Sequence, residues 1–188
     1  MAKFLKQLKF DTEARIKLLA GINIVAEAVG STLGPRGRNV AVDNIPDYDV
    51  PPMVLHDGVS VARSINLEDN FEDMGARLLK DAAIKTNEKA GDGTTTATIL
   101  AQAIIAESFK VIEAGNNPQT LKKEIEDAAK KIVEDLKKQA KQISTNEEIA
   151  QVATISAADP EIGELVAQAL AKVGKDGVIK VEDGKSFE

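Results

Sequence analysis

Residues 90–103 read AGDGTTTATILAQA, and no other string narrows the folds open to this chain as far. Two glycines bracket an aspartate, three threonines follow, and an apolar helical pattern begins at once. Gly91 and Gly93 permit backbone conformations, and a closeness of approach, that a Cβ obstructs. Thr94, Thr95 and Thr96 then place hydroxyls and N–H groups on the first helical turn, where amides and helix dipole together favour an anion. The string therefore reads as a phosphate cradle over Gly93 to Thr96. Asp92 repels a bare phosphate, so its natural role beside one is to hold a divalent cation through hard oxygen ligands. Threonine and aspartate are also ordinary helix caps. It is the whole string GDGTTTAT, not one aspartate and one threonine, that favours nucleotide binding.

Two further segments have the chemistry such a loop needs. In STLGPRGRNV an amphipathic helix over 12–33 stops at Gly34-Pro35, Gly37 follows, and a short β-like run covers 39–42. The Gly-Pro exit makes a tight turn that lets a base or phosphate approach the backbone of Thr32, Leu33, Gly34 and Pro35. In HDGVSVA, residues 56–62, Asp57-Gly58 reads as a turn before an alternating, strand-like stretch. Asp57 is the candidate to sit beside a terminal phosphate, orienting water or supporting the metal.

The rest of the pattern is mainly helical, with helices over 12–33, 70–89, 94–114 and 118–140. Phe71, Met74, Leu78, Leu79, Ala82 and Ala83 recur at helical spacing and read as a core stripe, with Asp69 and Glu72 as a capping box. Gly115 ends one helix and Asn117-Pro118 begins the next, so the two should fold back as a hairpin. Leu121, Ile125, Ala128, Ile132 and Leu136 mark the expected buried face of the latter. Its other side pairs Glu126 with Lys130, Asp127 with Lys131 and Glu134 with Lys138, a solvated surface in which each pair contributes about 0.2–0.5 kcal/mol. Residues 137–144 read as a domain boundary, followed by a capped start at Thr145 with Glu148. A last helix starts at Asp159-Pro160 and stops at Gly174, and a turn at 175–177 leads into a strand over 178–182. A lone strand leaves its ladder without a partner, so a longer protein is expected to continue past Glu188.

Composition bounds the function classes. An apolar content of 43% supports a core, and 29% charged residues supply a solvated surface. With no cysteine, disulfides and thiolate metal sites are excluded. A net charge of −6 argues against a general nucleic-acid surface, which needs excess lysine and arginine. No run near twenty apolar residues is visible and residues 1–10 lack a signal core, so no membrane role is expected and the cytoplasm is the expected location. One histidine, His56, rules out a histidine-rich metal site. G-x-S-x-G, G-x-x-x-x-G-K-[ST] and G-x-G-x-x-G are all absent, which removes support for hydrolase-triad, kinase and Rossmann readings.

TLGPRGRNV, DGVSVAR, NLEDNFEDMGARLL, AGDGTTTATILAQAI and VATISA stand in the order and at the spacing of one family. On them the chain resembles the N-terminal third of a bacterial group I chaperonin, the sixty-kilodalton GroEL family, over essentially its whole length. The resemblance implies a mainly α fold: a helical equatorial ATPase domain with small β hairpins over 1–138, then the first segment of an α/β intermediate hinge domain over 139–188, the apical domain being absent. It implies ATP and Mg2+ as cofactors, with Thr32, Leu33, Gly34 and Pro35 lining the nucleotide, Asp92 on magnesium, and Gly93, Thr94, Thr95 and Thr96 on the phosphates. Asp57, as the catalytic residue, and Gly58 would lie near the terminal phosphate, and Ile155 and Ser156 would approach from the hinge side.

The chain departs from that family at Leu55-His56, where a Thr-Lys pair is usual, so a fixed positive charge is replaced by an imidazole, mostly neutral as a class at physiological pH. The lysine's role is not carried to His56. The loop 43–53 is also longer, more acidic and richer in proline (Pro46, Pro51, Pro52) than the usual stem loop.

The function implied is that of an ATP-dependent molecular chaperone. Complete subunits would form stacked double rings, and a GroES-type co-chaperonin and unfolded polypeptides would bind through the apical domain. The isolated chain is expected to hydrolyse ATP negligibly. The rival expectation is a non-hydrolysing helical assembly or scaffold module with vestigial nucleotide motifs.

Overall fold

The computed structural model describes residues 6–43, 51–157, 159–174 and 177–180. In chain order the elements are α1 (Asp11–Gly30), β1 (Val40–Val42), β2 (Met53–Leu55), α2 (Gly58–Ser64), α3 (Asn70–Ala90), α4 (Thr94–Glu113), α5 (Pro118–Gln139), α6 (Asn146–Ala157) and α7 (Pro160–Val173). Two compact units result, Met1–Ile125 and Glu126–Glu188, with α5 running from one into the other.

Local chemistry explains most helix ends. Asp69 accepts from the N–H groups of Phe71 (2.9 Å) and Glu72 (3.1 Å) at the start of α3. Asn117 does the same for Gln119 (2.8 Å) and Thr120 (3.3 Å) before α5, and Asp159 for Glu161 (2.8 Å) and Ile162 (3.3 Å) before α7. At α6 a full reciprocal box forms: Glu148 N–H donates to Thr145 Oγ1 (3.2 Å), and Thr145 N–H donates back to Glu148 Oε2 (3.2 Å). The box expected at Asp69 is only half made, because the Glu72 carboxylate turns away to accept from Lys17 Nζ on α1 at 2.6 Å.

In the first unit α1 lies against α3 and α4, with α2 wedged among the three. Ile22, Val25 and Val29 of α1 meet Val59, Val61 and Ala62 of α2 and Ala76, Leu79 and Ala83 of α3 in one buried cluster. β1 and β2 pair antiparallel, with Val40 opposite Leu55 and Val42 opposite Met53, and Val40 and Leu55 pack on that cluster.

Two expectations about buried faces and one about local conformation are corrected. The stretch after Asp57-Gly58 is a helix, not a strand. Gly58, Val59, Val61 and Ala62 are all buried, and a short helix covered on several sides loses the one-faced period that distinguishes it from a strand. On α3 the buried residues are Gly75, Ala76, Leu79, Lys80 and Ala83, while Met74 and Leu78 are exposed. The close crossing with α1 selects small side chains: a Cβ on Gly75 would collide with the Leu18 carbonyl, and one on Gly21 with the Glu72 carbonyl. On α5 no described residue is buried, and Ile132 and Leu136 are 60% and 58% exposed. Only its first turns meet α4, where Leu121 and Ile125 join Ala103, Ile104 and Val111 along an apolar groove of about 390 Å³. Two of its ion pairs run i,i+3, Lys130 to Asp127 (3.1 Å) and Lys138 to Asp135 (2.9 Å), where Glu126 and Glu134 were the expected i,i+4 partners of those lysines.

By length and composition α4 is apolar enough to cross a membrane, contrary to the sequence reading. It packs here on α1 and α3 and buries Thr94 and Thr98. Residues 177–180 carry no strand. The remainder of the expected strand, the turn at 175–176 and the loop over 44–50 lie outside the described residues.

In the second unit α6 and α7 pack on each other, with Gly163 and Ala167 of α7 buried. The Lys141 ammonium, 2.7 Å from Glu148, and the Ser144 and Thr145 N–H groups hold the Glu148 carboxyl down at about 2.

Candidate functional site

Three segments far apart in sequence converge on one cleft of about 210 Å³ in the first unit. Thr32, Leu33 and Gly34 come from the turn after α1, His56, Asp57 and Gly58 from the junction of β2 and α2, and Asp92 to Thr96 from the start of α4. Of the residues expected at a nucleotide, all but three line this cleft. Pro35 follows in the same turn without being among the lining residues, and Ile155 and Ser156 lie on α6 of the second unit, with Ile155 79% exposed.

Each wall is fixed by local bonds. After α1 the chain turns through Thr32 and Leu33, whose N–H groups donate to Val29 (3.1 Å) and Gly30 (3.1 Å). Gly34 takes φ +76°, and Arg38 N–H closes the loop on Ser31 at 2.8 Å. Asp57 is the N-cap of α2: its Oδ2 accepts from both Ser60 N–H and Ser60 Oγ at 3.0 Å. Gly91 and Gly93 both hold left-handed backbone, φ +70° and +77°, which a residue with a Cβ rarely adopts. Gly93 is itself the N-cap of α4 and brings no side chain to its first-turn amides. Asp92 Oδ1 accepts from Gly93 N–H at 2.6 Å.

The walls are also tied to one another. Thr32 Oγ1 donates its one proton to the Val29 carbonyl at 2.7 Å, so at its 3.3 Å contact with Thr95 Oγ1 the Thr95 hydroxyl is the donor. Gly58 lies directly under the first turn of α4, where a Cβ would collide with Thr95 Oγ1. Thr98 Oγ1 donates to the Thr94 carbonyl at 2.8 Å, and both threonines are buried. Thr96 is exposed at the cleft mouth.

The lining offers hard oxygen ligands, two carboxylates and threonine hydroxyls, beside helix-end N–H donors and the His56 imidazole, with no lysine or arginine among the lining residues. Among the described residues no cluster of three or more metal-ligating side chains exists. A cation here therefore needs oxygens from its ligand, as magnesium takes them from nucleotide phosphates alongside one or two carboxylates. ATP with Mg2+ fits that set, and the glycine at 58 lets the first turn of α4 stand against α2. His56 lines the cleft without having been assigned a part in it, and its place beside Asp57 in sequence was the available signal.

The chain's relatives agree with this architecture. It is similar to the chaperonin gp146 from the bacteriophage EL 2 (Pseudomonas aeruginosa), solved in the presence of ATP-BeFx in two crystal forms, with a TM-score of 0.76 and 29% identity in each. The superpositions cover 94% and 95% of this chain but 31% and 32% of the phage chaperonin, so the chain spans about a third of that length. The mainly helical body with one two-stranded sheet is the fold of a chaperonin equatorial domain. Residues 25–187 match the TCP-1/cpn60 chaperonin family, a span that takes in every segment of the cleft, and the chain belongs to that family.

Proposed function

We propose that this chain is the nucleotide-binding part of an ATP-driven folding chaperone of the group I, GroEL type, with 1–138 equatorial and 139–188 the start of the hinge. The observation that carries this reading is the convergence of residues 32–34, 56–58 and 92–96 on one oxygen-lined cleft. Support comes also from the phage relative, crystallised with an ATP analogue.

In this reading the first-turn amides and hydroxyls of α4 hold the phosphates, as helix N-termini hold anions generally. Thr32, Leu33 and Gly34, with Pro35 behind them, form the other wall. Asp92 holds magnesium. Asp57, fixed by its bonds to Ser60, orients the water that attacks the terminal phosphate, with Gly58 allowing α4 to stand close by. Magnesium, when bound with ATP, neutralises phosphate charge. Ile155 and Ser156 are the hinge residues this reading assigns to the nucleotide. Ring assembly, a GroES-type co-chaperonin, unfolded polypeptide clients and a cytoplasmic location belong to the same proposal.

Nucleotide titration with and without magnesium tests it. Asp92→Ala removes an oxygen ligand but leaves the amides of Thr94 to Thr96 in place, so magnesium-dependent affinity should fall by about tenfold or more, roughly 1.4 kcal/mol, and magnesium-free binding far less. Equal losses in both conditions would reduce Asp92 to a turn residue, and no nucleotide binding by the parent would favour a scaffold module.

A further inference from the structure

Of the four Asp-Gly dipeptides in the sequence, two lie wholly among the described residues, at 57–58 and 92–93. Aspartate before glycine is the pairing most open to internal attack, because no Cβ shields the glycine nitrogen. The structure treats the two very differently. Asp57 has its carboxylate engaged three residues on, Oδ2 accepting from Ser60 N–H and Oγ at 3.0 Å. Gly58 is buried as the first residue of α2 and has Thr94 and Thr95 packed against it. Asp92 is the reverse case: its carboxyl is folded back on the Gly93 nitrogen, Oδ1 to N 2.6 Å, in an exposed turn. Among the described residues, no heavy atom outside the adjoining chain lies within 4 Å of where a Cβ on Gly91 or Gly93 would sit. Both flanks of this turn are therefore open, in contrast to Gly58.

We propose that Asp92 is a site of isoaspartate formation, and that Asp57 is protected by its cap. The Gly93 nitrogen attacks Cγ of the Asp92 carboxyl in its protonated form, the carboxyl hydroxyl leaves with the amide proton as water, and a succinimide forms. Water then adds to the ring. Opening at the main-chain carbonyl leaves the backbone running through the former side chain, as isoaspartate. One water leaves and one returns, so mass and oxidation state are unchanged. The product lengthens the main chain by one methylene between Gly91 and the first turn of α4, at the residue assigned to magnesium. The chemistry itself needs no nucleotide and stands apart from that assignment.

The test is to incubate the purified chain at neutral pH, digest it, and quantify isoaspartate at both positions by electron-transfer fragmentation, in native buffer and in unfolding urea. In native buffer conversion at Asp92 should outrun that at Asp57 by about tenfold, a barrier difference of about 1.4 kcal/mol. In urea, where the cap of Asp57 is lost, the two rates should approach each other. Equal native rates, a faster Asp57, or a difference that persists unchanged in urea would each overturn the proposal, the last by tracing it to local sequence instead of fold.

Discussion

Gly58 is the position where one added methyl group reports most directly on how the cleft is held together. In Gly58→Ala the new Cβ collides with Thr95 Oγ1 and sits 3.0 Å from Thr95 N and 3.1 Å from Thr94 Oγ1. Rotating Thr95 relieves the hydroxyl but breaks its bond to Thr32, and the backbone nitrogen still has to move. Overpacking of this kind costs about 1–3 kcal/mol. Alanine over glycine returns at most about 1 kcal/mol of helix propensity, and that figure holds for helix interiors, not for a first residue. A net loss of about 1–2 kcal/mol follows, and for a chain of this size each kcal/mol lowers Tm by about 2–4 °C. Because the strain falls on the first turn of α4, nucleotide affinity should drop by about tenfold or more. Thermal unfolding and nucleotide titration of Gly58→Ala, Thr95→Ala and the double variant measure both effects. Adding Thr95→Ala should recover part of the stability lost, since it removes the nearest obstacle. Parent-like Tm and affinity in Gly58→Ala would refute the contact between α2 and α4 as a determinant of the cleft.

Two further outcomes are expected. Glu148 has its pKa lowered from 4.5 to about 2, first by Lys141 and then by the Ser144 and Thr145 N–H groups, so its contribution is complete above pH 4.5 and lost as pH falls towards 2. Glu148→Gln should abolish that acid-dependent part of the stability of α6 and α7, and a pH profile identical to the parent's between those limits would contradict the assignment. Lys80 is 8% exposed and donates to the Ile65 carbonyl and, at 3.4 Å, to Asn66 Oδ1. Lys80→Met leaves that carbonyl without its ammonium donor and should cost about 1–3 kcal/mol in urea unfolding, whereas an unchanged midpoint would show that water replaces the lysine.

Where α3, α5, α6 and α7 begin was legible in the sequence because a cap is a bond between residues two or three apart, although the same kind of bond at Asp57 was read as a turn before a strand and α1 ends at Gly30, short of the expected Leu33. Asp69, Asn117, Thr145 with Glu148, and Asp159 each bond as their positions dictate. Gly115 and Gly174 take positive φ just past the helices they stop. The candidate site was legible for the same reason, since each of its segments carries its own turn chemistry. Which faces are buried was not. Met74 and Leu78 are larger and more apolar than Gly75 and Ala76, yet α1 crosses α3 too closely for any but the small pair. The apolar stripe of α5 is plain in the sequence, yet from Ala128 through Ile132 to Leu136 it is exposed among the described residues, because burial depends on a neighbour that no local pattern specifies. The alternation around Val59 and Val61 fits a strand until packing on three helices makes both sides of a helix interior. Likewise the cleft itself exists only in three dimensions: Thr32, Gly58 and Thr95 meet because α1, α2 and α4 share one core, which places a hydroxyl, a bare Cα and a helix N-terminus in contact.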